Sequence, residues 1–586
     1  MTVSTSTANS PFLVGVSGHR DIAAEDLPGL RTAITSFVEA LRRKLPDTEL
    51  RIIVGMAEGA DLLVAQTALD LGVRVEAVLP MPAEQYAQDF DGTTLKLLNE
   101  LLTRPDVHCN ILSAPPGVGA GPHTAAQRDL MYANLTHALV RRSGLLLALW
   151  DGAVSPLPGG TADTVLRYLG LRNDEDAGPQ TLEFVVAPSD LEWPEQLVYW
   201  APTARSGAAL PVGAHPPCFV MASGSNLICM QQEMPSRLEH QLRQLNNYNY
   251  EFEQLVSSGR LAAGDSLLKA LPPECPVKGR PMLRVIDAQY AKADALAVYY
   301  QKRSDRLFDL FAVSAFAMGL AYLIYERITE SKLLLITYMV ILLLSLGLYY
   351  LLAGRHWFAK HLSYRALAET MRAKFYLRLA GADHRVDASG VLALSGIERF
   401  QGFGWMSYVL KGIEPPDIRV SAARMHAAHQ AQCVEKGWIE SQYRYFTSKV
   451  AQLEQSSRHV HRLRNVLFVV IIIVIIGLFL FSEALDRIHL GSELTARNLM
   501  LFIMGFLAVL LGVWELHQNK MATRELLWQY RNQLTHFTRA RLQLARITTS
   551  GGRIGVLAEL GKNSLMESYL WAIHRYHREH EPPAAR

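Results

Sequence analysis

Hydrophobic positions along this chain follow two different periods. Up to about residue 170, short apolar runs alternate with longer stretches of helical spacing. "FLVGVSG", "ELRIIVGM", "VRVEAVLP", "VHCNILSA" and "LLLALWDG" read as strands. "LRTAITSFVEALRRKL", "GADLLVAQTALDLG" and "AAQRDLMYANLTHALVRRS" read as the helices between them. Strands this apolar must be covered on both faces. The alternation therefore predicts right-handed crossovers and a doubly wound, Rossmann-like parallel sheet. Beyond residue 300 the runs lengthen. They span about Leu310 to Tyr325, Leu333 to Gly354, Asn465 to Ser482, and Asn498 to Trp514. A membrane-crossing helix needs about 20 apolar residues, so the pattern predicts an all-α part with four transmembrane helices.

Charge then orients those spans. Lys302, Arg303 and Arg306 precede the first, and Arg355, Lys360 and Arg365 follow the second. Arg458, Arg462 and Arg464 precede the third, and Lys520 and Arg524 follow the fourth. Positive flanks belong in the cytoplasm, so both termini are predicted inside and two short hairpins outside, in a multi-pass inner-membrane protein. The four runs carry no charged residue, which disfavours a proton-coupled carrier. Ala312, Ala315 and Gly319 form a small-residue face suited to helix packing. The pattern also looks duplicated. Gln289-Tyr290 and Gln442-Tyr443 open the two leading helices, and Trp357 and Trp514 open the two trailing ones. Long amphipathic helices outside the spans predict a cytoplasmic stalk.

Net charge is +3, which leaves no nucleic-acid footprint at the level of the whole chain. The five cysteines include no CxxC pair. That argues against a zinc site and a disulfide framework, and fits a reducing compartment. "MTVSTSTANS" lacks the basic and apolar regions of a signal peptide. The divisions expected are a disordered residues 1–10, a nucleotide-sensing domain at 11–205 and a linker with a helical extension at 206–285. Two-span units follow at 286–380 and 440–586, separated by a cytoplasmic connector at 381–439. Residues 171–285 are the least legible. "QLVYWAPTARSG" reads as a late strand with Arg205 near its end.

Ligands of such sheets bind beyond the carboxyl ends of the strands. The residues there are Gly15, Ser17, Gly18, His19 and Arg20 after the first strand, and Gly55, Glu58, Gly59 and Asp61 after the second. Pro80, Tyr86 and Asp89 follow the third, and Asp151, Gly152, Gly159, Gly160 and Thr161 the fifth. Glycines admit a phosphate close to the backbone, helix N-termini favour negative charge, and Arg20 suits a bidentate phosphate contact. The candidate ligand-binding set is Gly18, His19, Arg20, Gly55, Glu58, Gly59, Tyr86, Arg128, Asp151, Gly152, Gly159, Gly160 and Thr161. No cofactor and no metal are expected. His574, His577 and His580 share a helical spacing that a solvated helix end explains better than a metal does.

"VGVSGHRD", "GMAEGADLLVAQ", "LPMPAEQYAQDF", "RDLMY", "LLALWDG" and "GGTADTV" resemble the SLOG superfamily over roughly residues 11–205. That group includes DNA-processing protein A, the LOG phosphoribohydrolases and the N-terminal domain of melastatin-type TRP channels. The membrane half resembles the SLATT two-span effectors, and "MESYLWAIHRYHREHEP" looks like their tail. The resemblance implies a nucleotide-derived ligand, ADP-ribose-like or related, and a membrane effector in bacterial defence. LOG enzymes carry a PGGxGTxxE turn whose Glu works on the ribosyl bond beside an upstream Arg. Arg128 matches that Arg in placement, but the turn here is Pro158-Gly159-Gly160-Thr161-Ala162-Asp163-Thr164, with no Glu. Asp163 is the nearby carboxylate, and a hydrolase needs one within reach of its reacting centre. The expectation is a membrane-anchored sensor-effector, leaning away from an enzyme, with an ion-conducting homo-oligomer as the effector. The alternatives are a membrane-tethered nucleotide or base–ribose hydrolase using Arg128 and Asp163, and a scaffold with no small ligand.

Overall fold

The computed structural model describes residues 9–119, 123–176, 178–188, 196–208, 210, 215–261, 264–275, 281–400, 402–417, 432–490, 494–521 and 523–579. The expectation for residues 1–10 falls almost wholly outside them, as does His580. The chain divides into two compact units. The first holds residues 1–268, 276–292 and 377–430, and the second holds 269–275, 293–376 and 431–586.

The first unit opens with β1 (Phe12–Gly18), α1 (Leu27–Lys44), β2 (Leu50–Val54), α2 (Ala60–Asp70) and β3 (Arg74–Leu79). A short α3 (Ala83–Tyr86), α4 (Gly92–Thr103), β4 (Val107–Ile111), α5 (Ala125–Arg142), β5 (Leu145–Trp150) and α6 (Thr161–Tyr168) follow. Local chemistry marks these boundaries. Asp91 caps α4 by accepting from Thr94 N, and Thr124 with Gln127 forms a capping box on α5. Arg42, Arg43 and Lys44 close α1, where cations suit the helix dipole.

The remaining strands are β6 (Glu183–Val186), β7 (Val198–Pro202), β8 (Cys218–Ser223) and β9 (Leu227–Gln231). The nine-stranded sheet runs β4-β3-β2-β1-β5-β7-β8-β9-β6. It is mostly parallel, and β8 is the strand that pairs antiparallel, with both β7 and β9. The sheet therefore extends past residue 205: β8 and β9 come from the segment read as a linker. Their runs, CFVMAS and LICMQ, are apolar but short, and show no alternating period.

Strands β1 to β4 step one way across the sheet, and β5 returns to the other side of β1. With right-handed crossovers, that reversal puts α1 and α2 on one face and α5 and α6 on the other. Leu13, Ile53 and Val78 pack beneath Leu135, Ala138 and Leu139 of α5. Trp150, Trp200, Val198 and Val220 pack with Val165 and Leu166 of α6. Each such buried side chain contributes about 1.5–3 kcal/mol.

Helices α7 (Ser236–Ser257), α12 (Ala388–Ser395) and α13 (Met406–Gly412) complete the first unit. Residues 381–400 and 402–417 of the expected connector belong here and are packed, whereas 432–439 belong to the second unit. Tyr408 meets Phe12 edge-on at 5.0 Å and donates to Gln241 Oε1. Asn249 of α7 donates to the Ser10 carbonyl and Thr48 Oγ1, and accepts from the buried Lys292. One side chain thereby ties the start of β1 to the loop before β2.

The short α8 (Leu267–Ala270) precedes the second unit's long helices. These are α9 (Pro281–Arg327), α10 (Lys332–Ala353), α11 (Trp357–Ala380), α14 (Ser441–Asp486), α15 (Ala496–Met521), α16 (Thr523–Arg546) and α17 (Ser550–Glu579). A π-helical turn, Glu435–Glu440, leads into α14. Four helices are long and apolar enough to cross a membrane. Their apolar side chains face outward: Leu344 is 68% exposed, Leu351 76% and Phe479 84%. Apolar surface on that scale needs a nonaqueous partner. The expected repeat has matching element lengths: 47, 22 and 24 residues for α9 to α11, and 46, 26 and 24 for α14 to α16. Trp357 opens α11 as read, whereas Trp514 lies inside α15. Gly319 of α9 packs on Val509 of α15, and Gly505 of α15 packs on Leu323.

The cysteine reading needs one correction. Cys275 and Cys433, 158 residues apart, form a disulfide in the second unit. Spacing along the chain carries no information about a pair brought together by tertiary packing.

Candidate functional site

Strands β1 and β5 run parallel in register, with Gly18 opposite Leu149. At their carboxyl ends the chain departs in opposite directions, His19-Arg20-Asp21 one way and Asp151-Gly152 the other. Such a parting opens a crevice, and here it is a cleft of about 300 Å³. Its walls include Ser17, Gly18, His19, Arg20, Asp61, Tyr132, Thr136, Gly159, Gly160, Thr161, Thr164 and Arg205.

Two glycines let three loops close around it. Gly59 has φ +77°, and a Cβ there would stand 2.2 Å from the Arg20 carbonyl oxygen. The close approach lets Ala60 N donate to the His19 carbonyl. Gly159 has φ +78°, and a Cβ would strike the Tyr132 backbone at 2.6 Å. Only glycine tolerates both the left-handed backbone and the contact. The turn then enters α6 with Gly160 as its N-cap and no side chain capping the first turn.

The polar groups have distinct states. His19 is buried, and its Nε2 accepts from Asp151 N at 2.9 Å. Burial holds its pKa below the ordinary value, against the pull of Asp151. An Nε2 that accepts a hydrogen bond bears no proton, so its 3.2 Å approach to Asp151 Oδ1 is not an ion pair. Asp151 is paired instead with Arg205, Nε to Oδ2 at 3.1 Å. Asp61 accepts from Ala57 N, and burial pushes its carboxyl up to about 7. The Arg20 guanidinium lies over the Tyr132 ring at 5.0 Å. Among the described residues Arg20 forms no ion pair. Asp89 and Asp61 act on its charge without forming an ion pair with it, and Tyr132 lies against it.

Of the residues read from the sequence, Gly18, His19, Arg20, Gly159, Gly160 and Thr161 meet in this cleft. The others stand behind it. The Tyr86 hydroxyl is buried and donates to the Gly55 carbonyl. Glu58 accepts from Thr94 Oγ1. Arg128 pairs with Asp89 at 2.6 Å, and Tyr132 donates to the same carboxylate. Asp151 and Gly152 are buried, and Asp151 N donates to His19 Nε2. Asp163 is 1% exposed and accepts from Gly159 N, Arg167 Nε and Arg172 Nη1. Three donors hold that carboxylate to the loop. Sequence reasoning left Tyr132, Thr136, Thr164 and Arg205 out of the set. Tyr132 lay inside the quoted "RDLMY", but α5 reaches the cleft only through the return crossover from β4.

Comparison places the chain with no characterised group. No protein family, no curated protein and no solved structure matches it.

Proposed function

We propose that the cleft between β1 and β5 is a receptor site for a nucleotide-derived, phosphate-bearing ligand, and that the chain couples its occupancy to a four-span membrane effector. The observation that carries this reading is the position of Arg20. A guanidinium with no ion-pair partner sits at the point where strand order reverses, beside the open first turn of α6. An anionic group placed there meets a charge-assisted bidentate donor and backbone N–H groups together. The resemblance to SLOG sensors and SLATT effectors points the same way, as does an ADP-ribose-like ligand. Lys and Arg flanks support an inner-membrane placement with both termini cytoplasmic. The hydrolase reading is weaker because Asp163, with two arginines on it, is a poor general base.

The test is calorimetry on the full chain in detergent, with nucleoside phosphates and ADP-ribose as probes. Binding with an intact glycosidic bond is expected. Arg20→Ala should weaken it by about 1.5–3 kcal/mol, roughly 10- to 150-fold. Unchanged affinity in both Arg20→Ala and Gly160→Val would remove the site. Release of free base that vanishes in Asp163→Asn would establish the hydrolase instead.

A further inference from the structure

The second unit contains a covalent link that ligand binding does not use. Cys275 ends the segment Lys269–Cys275, which belongs to this unit although the chain on either side of it does not. Its disulfide partner Cys433 lies in the described helix Gln432–Asp486, the third of the four spanning candidates. Leu271 of the same segment is buried, and its Cδ2 comes within 3.0 Å of where a Cβ on Gly437 would stand. Gly437 lies in the π-helical turn Glu435–Glu440, whose carbonyl at Gly437 accepts from Tyr376. Trp438 of that turn stacks on Tyr376 with ring planes 4° apart. The disulfide thus clamps a short segment beside an irregular turn within that long helix, and such π-helical turns are frequent at functional sites.

The chemistry of the pair is asymmetric. Cys433 is 5% exposed, whereas Cys275 is half-buried. An incoming thiolate therefore reaches the Cys275 sulfur, and Cys433 is the leaving group. If the flanking cations lie in the cytoplasm, the pair faces a reducing compartment, where lasting disulfides are uncommon and transient ones are redox-sensing.

We propose that Cys275–Cys433 is a reversible redox latch, opened and closed by thiol–disulfide exchange with a glutathione-class thiol. It rests on the cytoplasmic placement of the flanks given above, and it is independent of the nucleotide site. In opening, one thiolate attacks Cys275 Sγ, the S–S bond breaks, and Cys433 departs as a thiolate that takes up a proton. A second thiolate attacks the mixed disulfide and displaces Cys275 as the thiol. Two electrons pass from two small thiols, which leave as their disulfide. The opened segment keeps Leu271 as its anchor and loses the covalent tether beside the π-helical turn.

The experiment uses the full chain in inverted membrane vesicles, equilibrated in glutathione buffers, acid-quenched and alkylated with a maleimide mass tag. Each tenfold rise in [GSH]²/[GSSG] should lower the disulfide-to-dithiol ratio tenfold, with the midpoint inside the cytosolic range of that ratio. Trypsin should cut at Lys269 faster in the reduced form, and Cys433→Ser should match that faster rate without reductant. A bond that stays closed across all buffers would make it a structural staple, and thiols that never pair in excess GSSG would abolish it. In intact cells, opening by a membrane-impermeant phosphine would put the pair outside and overturn the latch. Nucleotide affinity in Cys275→Ser tests the receptor site separately, because the latch stands if that affinity is intact or absent.

Discussion

Asp61 has the most telling environment of any single residue in the cleft. It lies in the first turn of α2, 7% exposed, with its carboxyl pushed up to about 7 by burial. The folded value thus lies above the ordinary 3.8. A group raised in this way contributes stability that is complete below the unfolded pKa and is lost as pH climbs through the folded one. The gap corresponds to roughly 4 kcal/mol, as an order of magnitude. Asp61→Asn keeps an oxygen for Ala57 N and cannot ionise. Its melting temperature should therefore gain on the native chain as pH rises from about 4 to about 7, and hold that gain above. Thermal melts of both proteins across that range check this. Parallel curves would show that Asp61 is not held near neutrality. His19 works in the opposite sense. Its lowered pKa removes stability as pH falls below 6.5 toward the folded value, which is why the comparison must be made against Asp61→Asn and not from the native curve alone.

Among elements, α9 and α15 approach each other closely. A Cβ at Gly319 would stand 2.6 Å from Val509 Cγ1, and one at Gly505 would stand 2.6 Å from Leu323 Cδ2. The two glycines answer each other across one helix pair, and Phe316 meets Phe506 beside them at 5.7 Å. Apolar lipid gives helices no hydrophobic reason to associate, so close packing of this kind has to hold them. Gly319→Leu should cost about 1–3 kcal/mol by overpacking, and Gly505→Leu a similar amount. Gly347 of α10 has open space around it, so Gly347→Leu should be neutral. Thermal unfolding in detergent distinguishes the three. Equal losses at all three positions would mean that α9 and α15 do not pack as described. The small-residue face was legible from Ala312, Ala315 and Gly319, but its partner was not, because periodicity names a face and not the helix opposite it.

For the whole molecule, the four apolar helices long enough to span a membrane offer few polar walls. One copy therefore lacks what an aqueous path requires. Symmetric self-association is the usual remedy, so a homo-oligomer with a path between neighbouring copies is the expected effector. Purified protein in liposomes holding a fluorescent ion reporter should show flux that depends on the nucleotide ligand, and Arg20→Ala should shift its dose response to higher concentration. A monomer by native mass measurement, with no ligand-dependent flux, would leave only a membrane-bound receptor.

Several features were legible in the sequence alone, because local hydrophobic period is sufficient to produce them. Short continuous apolar runs such as "LLLALW", alternating with helical stretches, read as strands buried on both faces, and β5 is one. Runs as long as "NVLFVVIIIVIIGLFLF" are too apolar to remain in water. The glycines at the strand ends marked the rim before any tertiary contact was known. Tertiary structure alone decided which rim residues meet. Arg20, Gly160 and Thr161 share a cleft because strand order reverses between β1 and β5, while Glu58, Tyr86 and Arg128, with equal claims by position, found partners behind it. It also decided the role of Asp163, fixed by Arg167 and Arg172, and it drew β8 and β9 into the sheet from a stretch with no clear period. The Cys275–Cys433 bond is the plainest case. A disulfide depends on two side chains within a few ångströms, and with 158 residues between them only the packing of the second unit brings them there.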